Sequence, residues 1–288
     1  MAVNSPLPGA DEGLTHLVHT HIEPPGRWAT PALRDVWQYR ELLFYLVWRD
    51  IKVRYKQTWL GAAWAVIQPF LTMVVFSVFF GALAGLPSDG LPYPLFTYTA
   101  LLPWQLFAFA LTESSNSLVN NQRLIAKIYF PRLVIPVSAA LPGLVDFSIA
   151  FVVLLGMMLF YGMPLTLRIL ILPLLILLTI IAALSLGLWL AALNVKYRDV
   201  RYVIPFIVQL GFFLTPIAYS STLVPERLQP LYALNPMVGV VEGFRWALLG
   251  SQAPAGVLLL ISAVVALLVL AGGLLYFRHM EDTFADLL

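Results

Sequence analysis

ILILPLLILLTIIAALSLGLWLAALNV fills residues 169–195 without one charged side chain, and KYRDVR follows at once at 196–201. The chain then returns to an uncharged run, YVIPFIVQLGFFLTPIAYSSTLVP, at 202–225. A helix of about 20 apolar residues crosses a ~30 Å hydrocarbon core while satisfying every backbone N–H and C=O within itself. Long apolar runs parted by short charged turns therefore describe a chain that passes back and forth through a bilayer. Outward from this pair, further uncharged runs stand at 57–88, 90–112, 147–167 and 246–277. Together they predict six spans.

The basic residues sort by side. Arg27, Arg34, Arg40, Arg49, Lys52, Arg54 and Lys56 precede the first span; Arg123, Lys127 and Arg132 follow the second; Lys196, Arg198 and Arg201 follow the fourth; Arg278 follows the sixth. Only Arg168, Arg227 and Arg245 fall on the opposite side, so the positive-inside bias places both termini in the cytoplasm. Composition agrees: 60% of residues are hydrophobic, 11% are charged and the mean hydropathy is +0.84, far from a soluble domain. There is no cysteine, and three of the four histidines (His16, His19 and His21) sit in the N-terminal tail, so neither disulfides nor an intramembrane metal site is expected.

Residues 1–30 are rich in Pro and acidic side chains, lack the apolar core of a signal peptide, and are expected to be a poorly ordered cytoplasmic tail. Residues 31–58 differ. Arg34, Gln38, Glu41, Tyr45, Arg49, Lys52 and Lys56 recur at spacings of three and four, with Trp37, Leu43, Phe44 and Ile51 between them. That pattern predicts an amphipathic helix lying in the cytoplasmic interface, its cations at the head groups of the membrane lipids. The remaining residues, 59–288, are expected to form one six-helix transmembrane domain.

Between the fifth and sixth spans, SSTLVPERLQPLYALNPMVGVVEGFRWALLG (220–250) is too broken by polar residues and proline for a seventh span. Its second half is too apolar for a free loop. A re-entrant pair of short helices fits, the second capped by Asn235 with Pro236 in its first turn. Glu242 and Arg245, three apart, share a face of that helix. Gly239-x-x-x-Gly243 permits close helix contact. Two acids, Glu113 and Asp146, fall inside the apolar part; Asp146 lies about 20 Å beyond Arg132 at 1.5 Å per residue, so it is expected to face protein or water. Trp48, Trp59 and Trp104 are candidates for interfacial aromatic belts. The fold class is thus an all-α membrane protein with six transmembrane helices, an N-terminal amphipathic interfacial helix and re-entrant helices between spans five and six.

Five segments stand in a telling order: RDIKVRYKQTWLG (49–61), NQRLIAKIYFPRLVIP (121–136), NVKYRDV (194–200), TPIAY (215–219) and NPMVGVVEGFRWALLG (235–250). From about Pro31 onward the chain resembles the permease subunits of ABC-type polysaccharide exporters, the O-antigen, capsule and teichoic-acid export family. The resemblance implies a homodimer in a bacterial inner membrane that exports a lipid-linked glycan. Two separate ATP-binding-cassette ATPase subunits would bind ATP and Mg and drive it. The residues themselves agree that ATP is handled elsewhere, because no G-x-x-x-x-G-K-[ST] loop is present and the pair Gly85, Gly90 is followed by Leu91. No nucleic acid and no cofactor held by this chain are expected.

The resemblance also distributes roles. Arg123, Lys127, Tyr129, Phe130, Pro131 and Arg132 would form the ATPase-coupling element, with Phe130 as aromatic anchor. Arg49, Arg54, Tyr197, Arg198 and Asp199 would stand where an anionic head group loads, since Arg forks match phosphate oxygens, and Asp199 would pair with Lys196 or Arg198. Trp64, Phe70, Phe76, Phe206, Phe212 and Phe213 would line the channel with faces over which sugar rings slide. Asn235, Pro236, Glu242 and Arg245 would belong to an extracytoplasmic gate. A drug or lipid exporter of related architecture and an ion-coupled secondary transporter stay open as alternatives. Only Asp146 lies deep, and no clear internal repeat supports the latter. Membrane-transferase chemistry lacks the clustered acids or histidine it needs.

Overall fold

The computed structural model describes residues 33–56, 61–251, 255–281 and 283–284. The expected tail at 1–30, with its histidines, and Trp59 lie outside the described residues. Among the described residues every regular element is helical. In chain order these are α1 (Leu33–Gln38), α2 (Arg40–Lys56), α3 (Gly61–Phe76, continued by a π-helical stretch at Ser77–Leu83) and α4 (Tyr93–Asn120). Next come α5 (Gln122–Ile125), α6 (Val134–Ala140) and α7 (Gly143–Phe160). The chain closes with α8 (Leu172–Lys196), α9 (Val200–Leu214), α10 (Gln229–Tyr232), α11 (Pro236–Leu249) and α12 (Ala255–Glu281).

Five stretches are long and apolar enough to cross a membrane: Ala63–Leu83, Tyr93–Asn120, Val134–Phe160, Leu167–Lys196 and Gly256–Glu281. The run at 202–225, read from sequence as a full span, is α-helical only as far as Leu214, with one 3-10 turn at Ser221–Leu223, and α9 has 15 residues, about 22 Å of helix. Proline explains the stop. Pro216 disfavours helical backbone at the residue before it, and Thr215 is extended at φ −104°, ψ 142°. Two other boundaries also move. Charged residues set the ends of the second and third runs, yet α4 continues past Glu113 to Asn120, and the third span begins at Val134, so that Asp146 lies within it. The 31–58 segment is not one rod either, since Tyr39 separates α1 from α2.

α4 is the central helix, buried along most of its length against α8, α7, α6, α11 and α3. In lipid there is little hydrophobic drive between helices, so close packing and polar links must hold them. Both are visible. A Cβ on Gly187 of α8 would sit 2.2 Å from Ser114 Oγ of α4, so glycine is what lets these helices approach. Asn194 Nδ2 donates to the Ser115 carbonyl and to Asn116 Oδ1, each at 3.1 Å, and Trp189 Nε1 donates to the Val269 carbonyl at 3.1 Å, tying α8 to α12. α2 buries Leu46 in a cluster with Leu118, Phe130 and Val134 and packs on α6, leaving Phe44 and Val53 exposed. Trp104 departs from its belt assignment: it is buried inside the bundle.

Candidate functional site

A cavity of about 520 Å³ opens between α3, α4, α7 and α9, bordered at one end by Arg54 of α2. Its α4 wall repeats at helical spacing through Leu101, Gln105, Ala108 and Thr112, with Leu102, Phe109 and Glu113 beside them. From Leu101 to Glu113 this wall runs about 18 Å. Trp64 and Gln68 come from α3, Asp146 and Phe147 from α7, and Val208 and Phe212 from α9. Arg54, Glu113 and Asp146 are the charged side chains of the lining and gather at one end, while Trp64, Trp104, Phe109, Phe147 and Phe212 supply aromatic wall.

At the charged end Arg54 Nη2 lies 2.6 Å from Asp146 Oδ2, with side-chain exposures of 43% and 20%. The Tyr55 hydroxyl donates to Asp146 Oδ1. The Arg54 guanidinium also lies 4.6 Å from the centroid of the Phe109 ring. Burial, then the bond to Asp146, pushes the Tyr55 hydroxyl up to about 12, so it remains a donor at neutral pH. The acid expected from sequence to face protein or water is therefore held by a cation and a hydroxyl from α2.

Other candidates fall into three groups. Trp64 and Phe212 reach the cavity. Phe76 packs edge-on against Phe80 and Phe212, and Phe213 lines an adjoining hollow of about 400 Å³ that shares Trp104, Thr112, Val208 and Phe212 with the cavity. Phe70 and Phe206 are exposed and outside the lining. Arg49 donates to Asp50 Oδ1 at 2.8 Å and to Asn121 Oδ1 at 3.1 Å, fixing α2 to the C-terminal end of α4. It also borders a hollow of about 380 Å³ with Trp48, Lys52 and Lys56. Tyr197, Arg198 and Asp199 are exposed between α8 and α9, apart from the cavity lining. Among the described residues Asp199 forms no ion pair with Lys196 or Arg198; Lys196 instead sits 5.2 Å over the Tyr197 ring.

After α5, the residues around Lys127 enclose a hollow of about 210 Å³ lined by Ile125, Lys127, Tyr129, Phe130 and Arg132. Here the two neighbouring rings part. Phe130 is 5% exposed, its ring turned into the cluster under α2, whereas Tyr129 is 74% exposed. Pro131 joins this turn to Arg132, whose backbone N–H donates to Glu281 Oε1 at 3.0 Å and whose guanidinium bonds the Glu281 carbonyl. The end of α12 is thereby fastened to this loop; Arg123 stands in α5 just before it.

At the other end of the bundle Asn235 caps α11, its Oδ1 accepting from Met237 N–H at 3.1 Å, with Pro236 in the first turn as its sequence pattern suggested. Asn235 Nδ2 reaches Thr215 Oγ1 at 3.0 Å. Glu242 and Arg245 pair at 3.1 Å with both side chains fully buried. Arg245 also donates to the Ile217 carbonyl at 3.0 Å and lies 3.4 Å from the Phe96 ring centroid. The two small residues serve different neighbours: a Cβ on Gly239 would meet Ser262 Oγ at 2.6 Å on α12, and one on Gly243 would meet Leu175 Cδ2 at 2.9 Å on α8. α11 is buried between α4, α8 and α12, so it is packed into the bundle and not laid over it.

Sequence reading missed Tyr55, Gln68, Gln105, Phe109, Thr112 and Phe147. A signal existed for part of this set, because Gln105, Thr112 and Glu113 are polar residues sharing one face of an apolar helix.

The ABC-2 type transporter family model matches residues 41–249, from α2 through α11. Over 257 residues the chain is 30% identical to the O-antigen export system permease protein RfbA of Myxococcus xanthus, spanning 88% of this chain and 98% of that protein. It is 30% identical over 206 residues to RfbA of Klebsiella pneumoniae, spanning 71% of this chain and 79% of that one. It is 25% identical over 240 residues to the polysialic acid transport protein KpsM of Escherichia coli, spanning 81% and 91%. Matched along nearly all of the helical bundle and carrying several apolar helices of membrane-crossing length, this chain belongs to the ABC-2 type transporter family of multi-pass membrane permeases.

Proposed function

We propose that this chain is the transmembrane subunit of an ATP-driven exporter that carries a lipid-linked polysaccharide, of the O-antigen kind, from the cytoplasmic face across a bacterial inner membrane. The observation that carries the reading is the cavity, charged at one end and walled by aromatic rings, in a chain whose named relatives export O-antigen or transport polysialic acid. Flat aromatic faces suit the apolar C–H faces of sugar rings.

The subunit works as a homodimer with two separate ATPase subunits, both termini in the cytoplasm. The interfacial segment comprises 31–58, and the permease domain occupies 59–288. α9 with the bend at 215–219 completes a sixth crossing, and the segment 220–250 with Asn235, Pro236, Glu242 and Arg245 forms the outer gate. Tyr129, flanked by Arg123, Lys127 and Arg132, supplies the exposed ring that the ATPase grips. Phe70, Phe76, Phe206 and Phe213 continue the aromatic path where the two copies face each other. Arg49, Arg198 and the exposed Tyr197 offer the first contacts to an anionic head group at the membrane surface.

Removal of the gene from its own cell, with complementation, tests the reading. The expected outcome is loss of the surface glycan with its lipid-linked form retained on the cytoplasmic side, and recovery on return of the wild-type chain. Normal surface glycan, with only resistance to small amphiphiles lost, would overturn it in favour of a drug or lipid exporter.

A further inference from the structure

The charged end of the cavity holds more negative than positive side chains. Among the described residues of the lining, Arg54 faces two carboxylates, Asp146 and Glu113. An anionic head group approaching the aromatic path meets a site whose cation is already engaged, yet that cation is the most accessible member of the pair: the Arg54 side chain is 43% exposed, against 20% for Asp146. A guanidinium is a planar fork that binds carboxylate and phosphate oxygens with the same geometry, so one can replace the other on it.

Resting on the export reading, we propose that Asp146 is a placeholder on Arg54: loading a phosphate-bearing lipid exchanges the carboxylate for a phosphate oxygen on the same guanidinium, and this exchange selects for an anionic head group. Three features fit a pair built to part. The pair joins α2 to α7, two elements far apart in sequence, and its cation stands partly open to a ligand at the cavity end. Tyr55 donates to Asp146 Oδ1 from the other side, so the carboxylate keeps a hydrogen bond after Arg54 leaves, and burial and that bond keep the phenol protonated. A stripped carboxylate at this depth would otherwise be costly. Phe109 lies 4.6 Å from the Arg54 guanidinium, a surface that keeps the fork flat and placed while its partner changes. Arg54 and Asp146 are positioning and specificity residues on this account, and the cost of separating them is set against every head group, so a neutral lipid that offers nothing in exchange leaves the pair closed.

The test uses the full permease with its ATPase in nanodiscs of fixed lipid composition, and measures binding of undecaprenyl diphosphate and, as neutral control, undecaprenol. Arg54→Gln is expected to weaken binding of the diphosphate about tenfold or more and to leave undecaprenol unchanged. Asp146→Asn, which keeps the shape and an acceptor for Tyr55 but removes the competing charge, is expected to tighten the diphosphate several-fold. Asp146→Ser, as a second neutral variant, is expected to move in the same direction. A merely structural ion pair would give the same sign for Arg54→Gln and Asp146→Asn, or affect both lipids equally; either result overturns the placeholder while wild-type stimulation by lipid-linked glycan leaves the export reading standing. Diphosphate binding with these opposite signs, but without any stimulation by glycan, would confirm the exchange and remove the export reading instead.

Discussion

Arg245→Leu is expected to lower the stability of the subunit by roughly 3–5 kcal/mol, the range for breaking a buried ion pair from one side. Arg245 and Glu242 are both fully buried, and Arg245 adds a bond to the Ile217 carbonyl and the face of Phe96. Without the guanidinium, the Glu242 carboxylate, the Ile217 carbonyl and the ring lose their partner together, in a place that water does not reach. Glu242→Leu leaves the opposite orphan and is expected to cost a similar amount. The double variant Glu242→Leu/Arg245→Met leaves no unpaired charge and is expected to recover most of the loss, because packed apolar side chains often replace a buried pair without cost. Heating the detergent-purified subunit and measuring the fraction that stays monodisperse reads all three. A gate role adds a second readout: ion conductance across reconstituted membranes rises in the single variants, and unchanged conductance counts against a gate at α11.

Tyr129→Ala and Phe130→Ala are expected to separate, although the two rings are neighbours in sequence. Tyr129 is exposed and packs little of its ring into the subunit, so its loss leaves stability within about 0.5 kcal/mol. If it is the anchor for the ATPase, coupling falls by about 2 kcal/mol, some thirtyfold in assembly or in glycan-dependent turnover. Phe130 lies under α2 with Leu46, Leu118 and Val134, and its truncation opens a hole costing about 3–5 kcal/mol. The expected signature is a stable but uncoupled Tyr129→Ala beside a destabilised Phe130→Ala. The reverse pattern would restore Phe130 as the anchor.

The all-helical class and five of the six apolar runs were legible as long helices because charge is expensive in a bilayer and so marks the turns. The same rule misplaced ends wherever a charge had a partner. Asp146 was used as the limit of a run, yet it sits inside a helix because Arg54 and Tyr55 meet it from a different element, which no local pattern reveals. Pro216 was visible, but its effect on Thr215 ends α9 eleven residues before the apolar run ends. The Asn235 cap and the Glu242–Arg245 pair were readable because both depend on spacings of two and three residues along one helix. Which aromatics face inward was not readable: Trp64 and Phe212 reach the cavity while Phe70 and Phe206 do not, and Trp104 lies in its wall and not at the interface. Helix rotation about its own axis is set by the neighbours it packs on, and in a uniformly apolar helix the sequence carries little trace of it. Phe130 shows the same limit on the scale of one residue, because a turn of irregular backbone decides which of two adjacent rings is displayed.

The central claim, that this chain moves a lipid-linked glycan under the drive of a separate ATPase, is tested most directly by ATP hydrolysis of the two proteins purified together in nanodiscs, with and without lipid-linked glycan from the same cell. The expected result is a stable complex whose hydrolysis rises with the glycan and does not rise in Tyr129→Ala. A complex that fails to form, or one stimulated only by small amphiphiles, would contradict it.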